Sequence, residues 1–180
     1  MPNIRHRRLV ATATGAALAI GAGLAVPVTA SAAPVRAAGQ PAAVTPGFAT
    51  PLVVNARTGA HCTYDRLVID VQGTMPTTSV KRVPVLRYDG SGRKVPLPGR
   101  YFLEIKLTPA AAHDSAGRNV YKGPKLKRLT LPKLKGIALT GDFEGVVTFG
   151  TAFNTYPKYT TKKLHHPERF VLDVQHANVC

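Results

Sequence analysis

The chain carries one seven-residue stretch twice, as RLVIDVQ at residues 66–72 and as RFVLDVQ at residues 169–175. Five of the seven positions are identical. In both copies three apolar side chains recur at every second position, and the positions between them hold charged or polar groups and one valine. This period of two is the pattern of a half-buried strand. The sequence therefore predicts two strands of the same design, one near the start and one near the end of the folded part.

The charges of the two copies indicate how the strands pair. An antiparallel pair that matches their centres sets each arginine opposite an aspartate, as Arg66–Asp173 and Asp70–Arg169. A parallel pair would set arginine opposite arginine. We therefore expect these first and last predicted strands to be antiparallel.

The two cysteines give a second argument for the same direction. Cys62 precedes the first copy and Cys180 follows the second, so antiparallel strands bring them to the same end, whereas parallel strands would separate them by about 23 Å. In an oxidising compartment the simplest expectation is one Cys62–Cys180 disulfide, and a free thiol nucleophile is the alternative. A bridge over a loop of this length is worth roughly 4 to 5 kcal/mol in the chain-entropy model.

Short strands separated by Gly and Pro turns fill the sequence between the two copies. The only helical pattern is at residues 109–113 and amounts to one turn at most. We therefore predict an all-β fold, a two-sheet β-sandwich, with at most one short helical turn. The further predicted strands are residues 80–88, 94–97, 101–107, 125–131, 135–140, 146–151 and 159–164.

The first 32 residues predict export. Three arginines precede a charge-free run at residues 9–30, and Ala30-Ser31-Ala32 provides a cleavage site. A membrane anchor is the alternative, but Gly and Pro interrupt the run and no second charged flank closes it. We expect a cleaved signal peptide (1–32), no transmembrane anchor in the mature form, a flexible Ala/Pro-rich linker (33–51) and one folded domain (52–180).

The chain is strongly basic, with a net charge of +15 and nine acidic residues. Cleavage after residue 32 leaves about +12. Outside the cell the available polyanions are wall polymers, anionic lipids and acidic polysaccharides, and nucleic acid is not an expected partner. The alternative is that the charge only keeps a secreted protein soluble.

Two clusters of basic residues are candidates for polyanion binding, and lysines on predicted strands can project from one face as a binding stripe. The alternative for the first cluster is an edge strand that lysines protect against aggregation, a role that Pro124 and Pro132 also suit. The first cluster comprises Lys122, Lys125, Lys127, Arg128, Lys133 and Lys135, and the second comprises Lys158, Lys162 and Lys163, interleaved with Tyr156 and Tyr159.

The residue pattern favours neither catalysis nor a cofactor. No histidine pair has the spacing of a zinc site, and no phosphate-binding or dinucleotide-binding glycine motif occurs. His113-Asp114-Ser115 holds the residue types of a hydrolytic triad, but three consecutive residues cannot form the required line. Asp142 and Glu144 are interpreted as turn residues whose carboxylates meet backbone amides or lysines. We therefore expect no catalytic residues, no metal and no cofactor.

Four blocks of the sequence resemble the AMIN-like domain of secreted proteins from high-GC bacteria, which is related to the amidase N-terminal domain. They lie at residues 64–69, 107–113, 141–150 and 167–174, and the third, GDFEGVVTFG, is the most specific. The resemblance covers roughly residues 55–178. It implies a β-sandwich of two sheets with a non-catalytic role at the cell envelope, because the related amidase modules target peptidoglycan enzymes to the wall.

The sequence thus predicts a secreted, non-enzymatic module that binds anionic wall polymer or peptidoglycan through basic surface residues. Two alternatives remain at this point. The first is a protein-interaction module or an inhibitor of an exported enzyme, which would expose an apolar patch or an unpaired strand edge. The second is a small secreted hydrolase, which would gather His113 or His166 with Ser or Asp from distant strands.

Overall fold

A computed structural model describes residues 49–180. The predicted signal peptide and all but the last three residues of the predicted linker lie outside the described residues. Nine strands and no helix occur within the described part: β1 (Leu52–Ala60), β2 (Tyr64–Gln72), β3 (Thr77–Val83), β4 (Tyr101–Thr108), β5 (Leu126–Arg128), β6 (Leu134–Phe143), β7 (Val146–Phe153), β8 (Tyr159–Leu164) and β9 (Arg169–Gln175).

The nine strands form two antiparallel sheets. One sheet has four strands in the order β1-β2-β9-β8, and the other has five in the order β3-β4-β7-β6-β5. A single apolar core lies between them and draws its side chains from both sheets, including Leu67, Ile69 and Leu172 of the first and Leu103 and Phe149 of the second. The predicted all-β, two-sheet sandwich is confirmed.

The repeated stretches pair in the predicted register. β2 and β9 are adjacent and antiparallel, with Val68 opposite Val171 and Arg66 opposite Asp173. Both charged groups of that second pair meet, because the Arg66 guanidinium donates two hydrogen bonds to the Asp173 carboxylate, at 2.6 and 2.8 Å.

The second predicted ion pair is wrong. Asp70 lies opposite Arg169 in the register, but its carboxylate accepts hydrogen bonds from the Arg57 guanidinium at 3.0 and 2.9 Å. Arg57 belongs to β1, a strand that the sequence did not indicate. The side chain of Arg169 instead donates to the carbonyl of Pro167.

The strand β1 precedes the first predicted strand and forms an edge of the four-stranded sheet. Its pairing with β2 contains an irregularity between Val53 and Asn55. Val53 and Ala56, three positions apart, are the buried residues of this strand. Because the irregularity breaks the alternation, the period-two pattern is not visible in the sequence.

The Cys62–Cys180 disulfide is present, with the two Cα atoms 5.0 Å apart, and no free cysteine remains in the described part of the chain. Its position follows from the antiparallel pair, because Cys62 lies just before β2 and Cys180 lies beyond the end of β9. The predicted bridge is confirmed.

Residues 84–100 differ most from the prediction. Strand β3 ends at Val83 rather than at Tyr88, and residues 94–97 form no strand. The segment crosses the outer face of the five-stranded sheet, where Leu86, Val95 and Leu97 pack on the sheet residues Phe102, Ala138 and Ala152 as a second apolar cluster. The apolar pattern that predicted strands therefore reflects burial against the sheet.

Two sheet glycines make room for this covering segment. A Cβ atom on Gly150 would lie 2.7 Å from Leu86, and one on Gly136 would lie 2.7 Å from Leu97. Any larger residue at these positions would push the covering leucines away from the sheet.

Residues 109–113 form no helical turn. Ala110 donates its backbone N–H to Gly145 O and Ala111 donates to Pro51 O, at 2.8 and 3.0 Å. The alanines are buried where this segment packs beside the β6–β7 turn. Small residues are needed there for close packing.

Candidate functional site

The first group of predicted basic residues follows one edge of the sandwich. Lys122, Lys125, Lys127 and Arg128 are all exposed, and they lie in or just before β5, the last strand of the five-stranded sheet. The backbone N–H of Lys122 donates to Val54 O at 2.9 Å. This contact places the segment beside β1, so we call these four residues the β5 edge cluster.

Tyr121 anchors the segment that carries this cluster. Its ring packs edge-on against Phe149 in the core, with centroids 5.8 Å apart, and its hydroxyl donates to Pro124 O at 3.1 Å. Burial raises the pKa of Tyr121 to about 12. The segment that carries Lys122 and Lys125 is therefore anchored to the core through Tyr121.

Lys133 and Lys135, from the same basic run, make local contacts. Both are half-buried. The Lys133 ammonium donates to Thr155 Oγ1 at 2.5 Å, and the Lys135 ammonium donates to the carbonyl of Leu131. Because their ammonium groups are held by these contacts, we do not include Lys133 and Lys135 in the β5 edge cluster.

The remaining predicted basic residues lie on the other side of the sandwich. Lys158, Lys162 and Lys163 are exposed in or just before β8, the last strand of the four-stranded sheet. The Lys163 ammonium donates to Pro76 O, next to β3, at 3.0 Å, and the Lys162 ammonium lies 3.5 Å from Asp173. Seven of the nine predicted residues thus lie along the two lateral edges, four at β5 and three at β8, while Lys133 and Lys135 lie at the start of the interior strand β6. The nine do not form one stripe.

Two hollows adjoin the β5 edge cluster. One, of about 440 Å³, is lined by Lys125, His113, Asn119 and Asp142 among others. The other, of about 710 Å³, is lined by Lys122, Asn55, Asp70 and Asn119 among others. Lys122 and Lys125 therefore line concave surfaces in which apolar atoms are exposed beside polar ones.

His113 and Asp142 form a pair that joins two of the sequence blocks. The His113 Nδ1 atom lies 2.7 Å from Asp142 Oδ2, and Asp142 Oδ1 accepts the backbone N–H of Ala112 at 2.9 Å. Asp142 stands just before the β6–β7 turn, where Glu144 and Gly145 both have positive φ. The expectation that Asp142 meets a backbone amide is confirmed. Its contact with His113 was anticipated only in general form, since the hydrolase alternative places a Ser or Asp from a distant strand beside His113.

The surroundings of His113 include a serine. Ser115 is exposed and lines a third hollow, of about 600 Å³, together with His113, Asp114 and Glu144. Within residues 49–180 no hydrogen bond joins Ser115 to His113. The Asp114 carboxylate accepts hydrogen bonds from the backbone N–H and the guanidinium of Arg118 in the same loop. These hydrogen bonds lower the pKa of the Asp114 carboxyl group.

Aromatic side chains and one arginine meet between β3 and β8. The Arg82 guanidinium lies over the Tyr156 ring at 4.2 Å and near the Tyr159 ring at 5.9 Å. Tyr101 meets Tyr156 edge-on, with centroids 5.8 Å apart. The sequence shows Tyr156 and Tyr159 interleaved with lysines. It does not indicate that Arg82 and Tyr101, which belong to distant strands, lie beside them.

Within the described range no helix is long and apolar enough to cross a membrane. The same residues contain no group of three or more His, Cys, Asp or Glu side chains placed to hold a metal ion.

Comparison with protein families gives one match, the AMIN-like domain, over residues 51–176. The chain belongs to the AMIN-like domain family. The four resembling blocks all fall in this range, and two of them, residues 107–113 and 141–150, supply the His113–Asp142 pair. Comparisons with curated proteins and with solved structures give no match.

Proposed function

We propose that this AMIN-like protein is secreted and acts as a non-catalytic cell-envelope module that captures anionic wall polymer. The capture is electrostatic, and the β5 edge cluster with its adjoining hollows provides the binding surface. The proposal is supported by the family, by the export signal in the sequence and by a disulfide of the kind that persists in oxidising compartments.

The observation that carries the proposal is how the charges are distributed. Four of the 24 Lys and Arg residues precede residue 49, which leaves 20 in the described domain against nine acids. Seven of the nine acids form ion pairs with Arg, Lys or His, and these pairs engage only five of the 20 Lys and Arg residues. Fifteen Lys and Arg residues therefore have no acidic partner within residues 49–180, and the four residues of the β5 edge cluster are among them.

Clustering distinguishes polymer capture from a general role in solubility. A protein that needs charge only for solubility has no reason to place it along concave surfaces. Lys122 and Lys125 line hollows, and within residues 49–180 none of the four cluster residues forms an ion pair. Protection of the short edge strand β5 against aggregation is compatible with the same lysines, so both roles can share one set of side chains.

Retention on isolated bacterial cell walls across a salt series tests this function. The protein should be retained at low ionic strength and released as salt rises, because screening weakens contacts between exposed charges. Extraction of the anionic polymers from the walls should abolish retention. The double variant Lys125→Gln, Lys127→Gln should elute at clearly lower salt than the parent.

The matched control for that variant is Lys81→Gln, Lys106→Gln. It removes the same charge from exposed positions on β3 and β4. Equal effects of the two double variants would show that only net charge matters. Retention that does not change with salt concentration and persists after polymer extraction would contradict the proposal.

One observation favours a hydrolase as the second candidate. A histidine paired with a carboxylate supplies two of the three members of a hydrolytic triad, and Ser115 lines a hollow with His113. A serine-directed fluorophosphonate probe tests this candidate. Labelling that disappears in both Ser115→Ala and His113→Gln would favour hydrolysis, and absence of labelling would favour the binding function.

The protein-interaction alternative makes a different prediction for wall binding. Phe143, 69% exposed at the end of β6, is the most exposed large apolar residue on the described surface. If a protein partner were the ligand, Phe143→Ser would weaken retention on walls and protease treatment of the walls would abolish it. Under polymer capture neither change has an effect.

A further inference from the structure

A second binding surface lies on the opposite side of the sandwich from the β5 edge cluster. It consists of Arg82 on β3, Tyr101 at the start of β4, and Tyr156 and Tyr159 before and within β8. We propose that this Arg82–tyrosine surface binds the carboxylate-bearing sugar units of an acidic polysaccharide. The Arg82 guanidinium would hold the carboxylate, and the exposed tyrosine rings would pack on the sugar face.

The strand geometry explains why Arg82 stands in this position. In β3 the side chains of Val80 and Arg82 point toward the space between the sheets, since they lie opposite the core residues Ile105 and Leu103. Val80 is partly buried and packs against the core. Because β3 is a sheet edge, Arg82 reaches the open seam beside β8 and stays exposed.

The Arg82 guanidinium contacts an aromatic ring but has no hydrogen-bond acceptor within the described residues. The guanidinium carbon lies 4.2 Å from the centroid of the Tyr156 ring, a cation–π contact that holds the group beside this ring. Within residues 49–180 no carboxylate forms an ion pair with Arg82, and no acceptor forms a hydrogen bond with it. A planar group with five N–H donors that lies against an aromatic ring and makes no hydrogen bond within the described residues is suited to bidentate recognition of a carboxylate.

The aromatic rings indicate a sugar rather than an anion alone. Tyr156 is 51% exposed and Tyr101 is 40% exposed, and the two rings meet at 81°. Exposed rings with hydroxyl groups offer an apolar face for sugar C–H groups and polar atoms for the ring hydroxyls. The exposed Lys158 and Lys163 on the same edge add positive potential for a polyanionic chain.

A purely structural role would be to cover the seam between the sheets. Arg82→Lys separates the two roles, because lysine keeps the charge and the covering stem but loses the planar fork. Arg82→Gln removes the charge as well. Lys81→Gln is the matched control, since it removes an equal charge one residue away on the opposite face of the same strand.

The experiment titrates the folded protein with three soluble probes, followed by NMR chemical shifts and calorimetry. The probes are tetragalacturonate, which has rings and carboxylates, chitotetraose, which has neutral rings, and tripolyphosphate, which has charge alone. Tetragalacturonate should bind most tightly and shift the signals of Tyr101 and Tyr156. Arg82→Gln should weaken that binding by about tenfold and Arg82→Lys by about fivefold, while Lys81→Gln changes it by less than about twofold.

Three results would overturn the inference: no binding of tetragalacturonate, equal weakening by Arg82→Gln and Lys81→Gln, or tripolyphosphate binding as tight as that of tetragalacturonate. Unchanged thermal unfolding of Arg82→Lys shows that its lost affinity is not a folding defect. The inference is independent of the proposed function. The β5 variant Lys125→Gln, Lys127→Gln should retain tetragalacturonate binding. The experiments can therefore contradict the proposal for one surface without contradicting the proposal for the other.

Discussion

Asp65 shows at the level of one residue how the fold holds a buried charge. It is fully buried, and its Oδ2 atom accepts the backbone N–H groups of Lys133 and Leu134 at 2.6 and 2.7 Å. Its Oδ1 atom lies 3.4 Å from Nε2 of the nearly buried His176. The carboxylate thereby fixes the start of β6 against β2.

Replacing Asp65 should therefore be costly. Asp65→Ala leaves two amides without an acceptor, and we expect a loss of about 3 kcal/mol in the free energy of unfolding, measured with urea. Asp65→Asn keeps one carbonyl oxygen and should lose less. The control Asp70→Ala removes a more exposed ion pair with Arg57 and should cost less than about 1 kcal/mol. Equal losses for Asp65→Ala and Asp70→Ala would contradict this account.

Asp173 should link stability to pH. Hydrogen bonds from Arg66 lower the pKa of the Asp173 carboxyl group in the folded protein. Since the folded pKa lies below the unfolded value of about 4, its stabilisation is fully present above pH 4 and is lost as pH falls through the folded pKa. NMR titration of the carboxyl carbon should show a midpoint below the ordinary range in the parent. In Arg66→Gln the midpoint should move upward, and an unchanged midpoint would speak against the assignment.

Residue patterns predicted contacts within one strand pair and missed contacts between distant elements. The charges of the repeat gave the Arg66–Asp173 pair, because both partners lie in adjacent strands of known register. Asp70 was assigned to Arg169 because nothing in the sequence marked Arg57 as a neighbour. The specific His113–Asp142 pair was missed for the same reason, since it depends on the packing of a loop against a hairpin.

Among the elements, the covering segment at residues 84–100 gives the clearest stability prediction. Leu86 is buried on the outer face of the five-stranded sheet above Gly150. Leu86→Ala should cost about 2 to 3 kcal/mol by opening a cavity, and Leu164→Ala, at a partly exposed position on β8, should cost less than about 1 kcal/mol. Chemical denaturation of both variants measures the difference. Equal costs would mean that the segment does not pack as described.

The segment also shows what limits prediction of elements. Its apolar residues alternate as they do in a strand, but Pro84, Pro96 and Pro98 remove backbone donors that a sheet ladder needs. The strand β1 was missed for the opposite reason, because an irregular pairing hides a genuine strand. The strands with an unbroken period of two, such as β2, β4 and β9, were predicted with nearly correct bounds. The bounds of β8 were also predicted correctly, although its residues show no apolar alternation.

At the scale of the whole molecule, the Cys62–Cys180 disulfide links the start of the domain to its C-terminal end. The bridge joins residues 118 positions apart. The double variant Cys62→Ser, Cys180→Ser should lose about 4 to 5 kcal/mol of unfolding free energy, chiefly through the greater freedom of the unfolded chain. Urea unfolding of this variant beside the oxidised parent measures the loss. A loss below about 1 kcal/mol would show that the β2–β9 pair alone holds the ends together.

The fold class was predictable because short strands with Gly and Pro turns fill the sequence, and the repeat and the two cysteines indicate how the first and last predicted strands pair. The surface was less predictable, because β5 and β8 are brought to opposite edges only by the order of strands in the two sheets. The basic run at residues 122–135 therefore divides into an exposed cluster and two locally held lysines, a division that the linear sequence does not contain.

The most direct test of charge-based capture is the salt dependence of binding to poly(glycerol phosphate), followed by fluorescence anisotropy. The logarithm of the association constant should fall linearly with the logarithm of salt concentration, as it does for polyelectrolytes that release counterions. The slope should shrink by roughly one to two for Lys125→Gln, Lys127→Gln and hardly at all for Lys81→Gln, Lys106→Gln. Absence of binding at low salt, or an affinity that does not change with salt, would contradict the account.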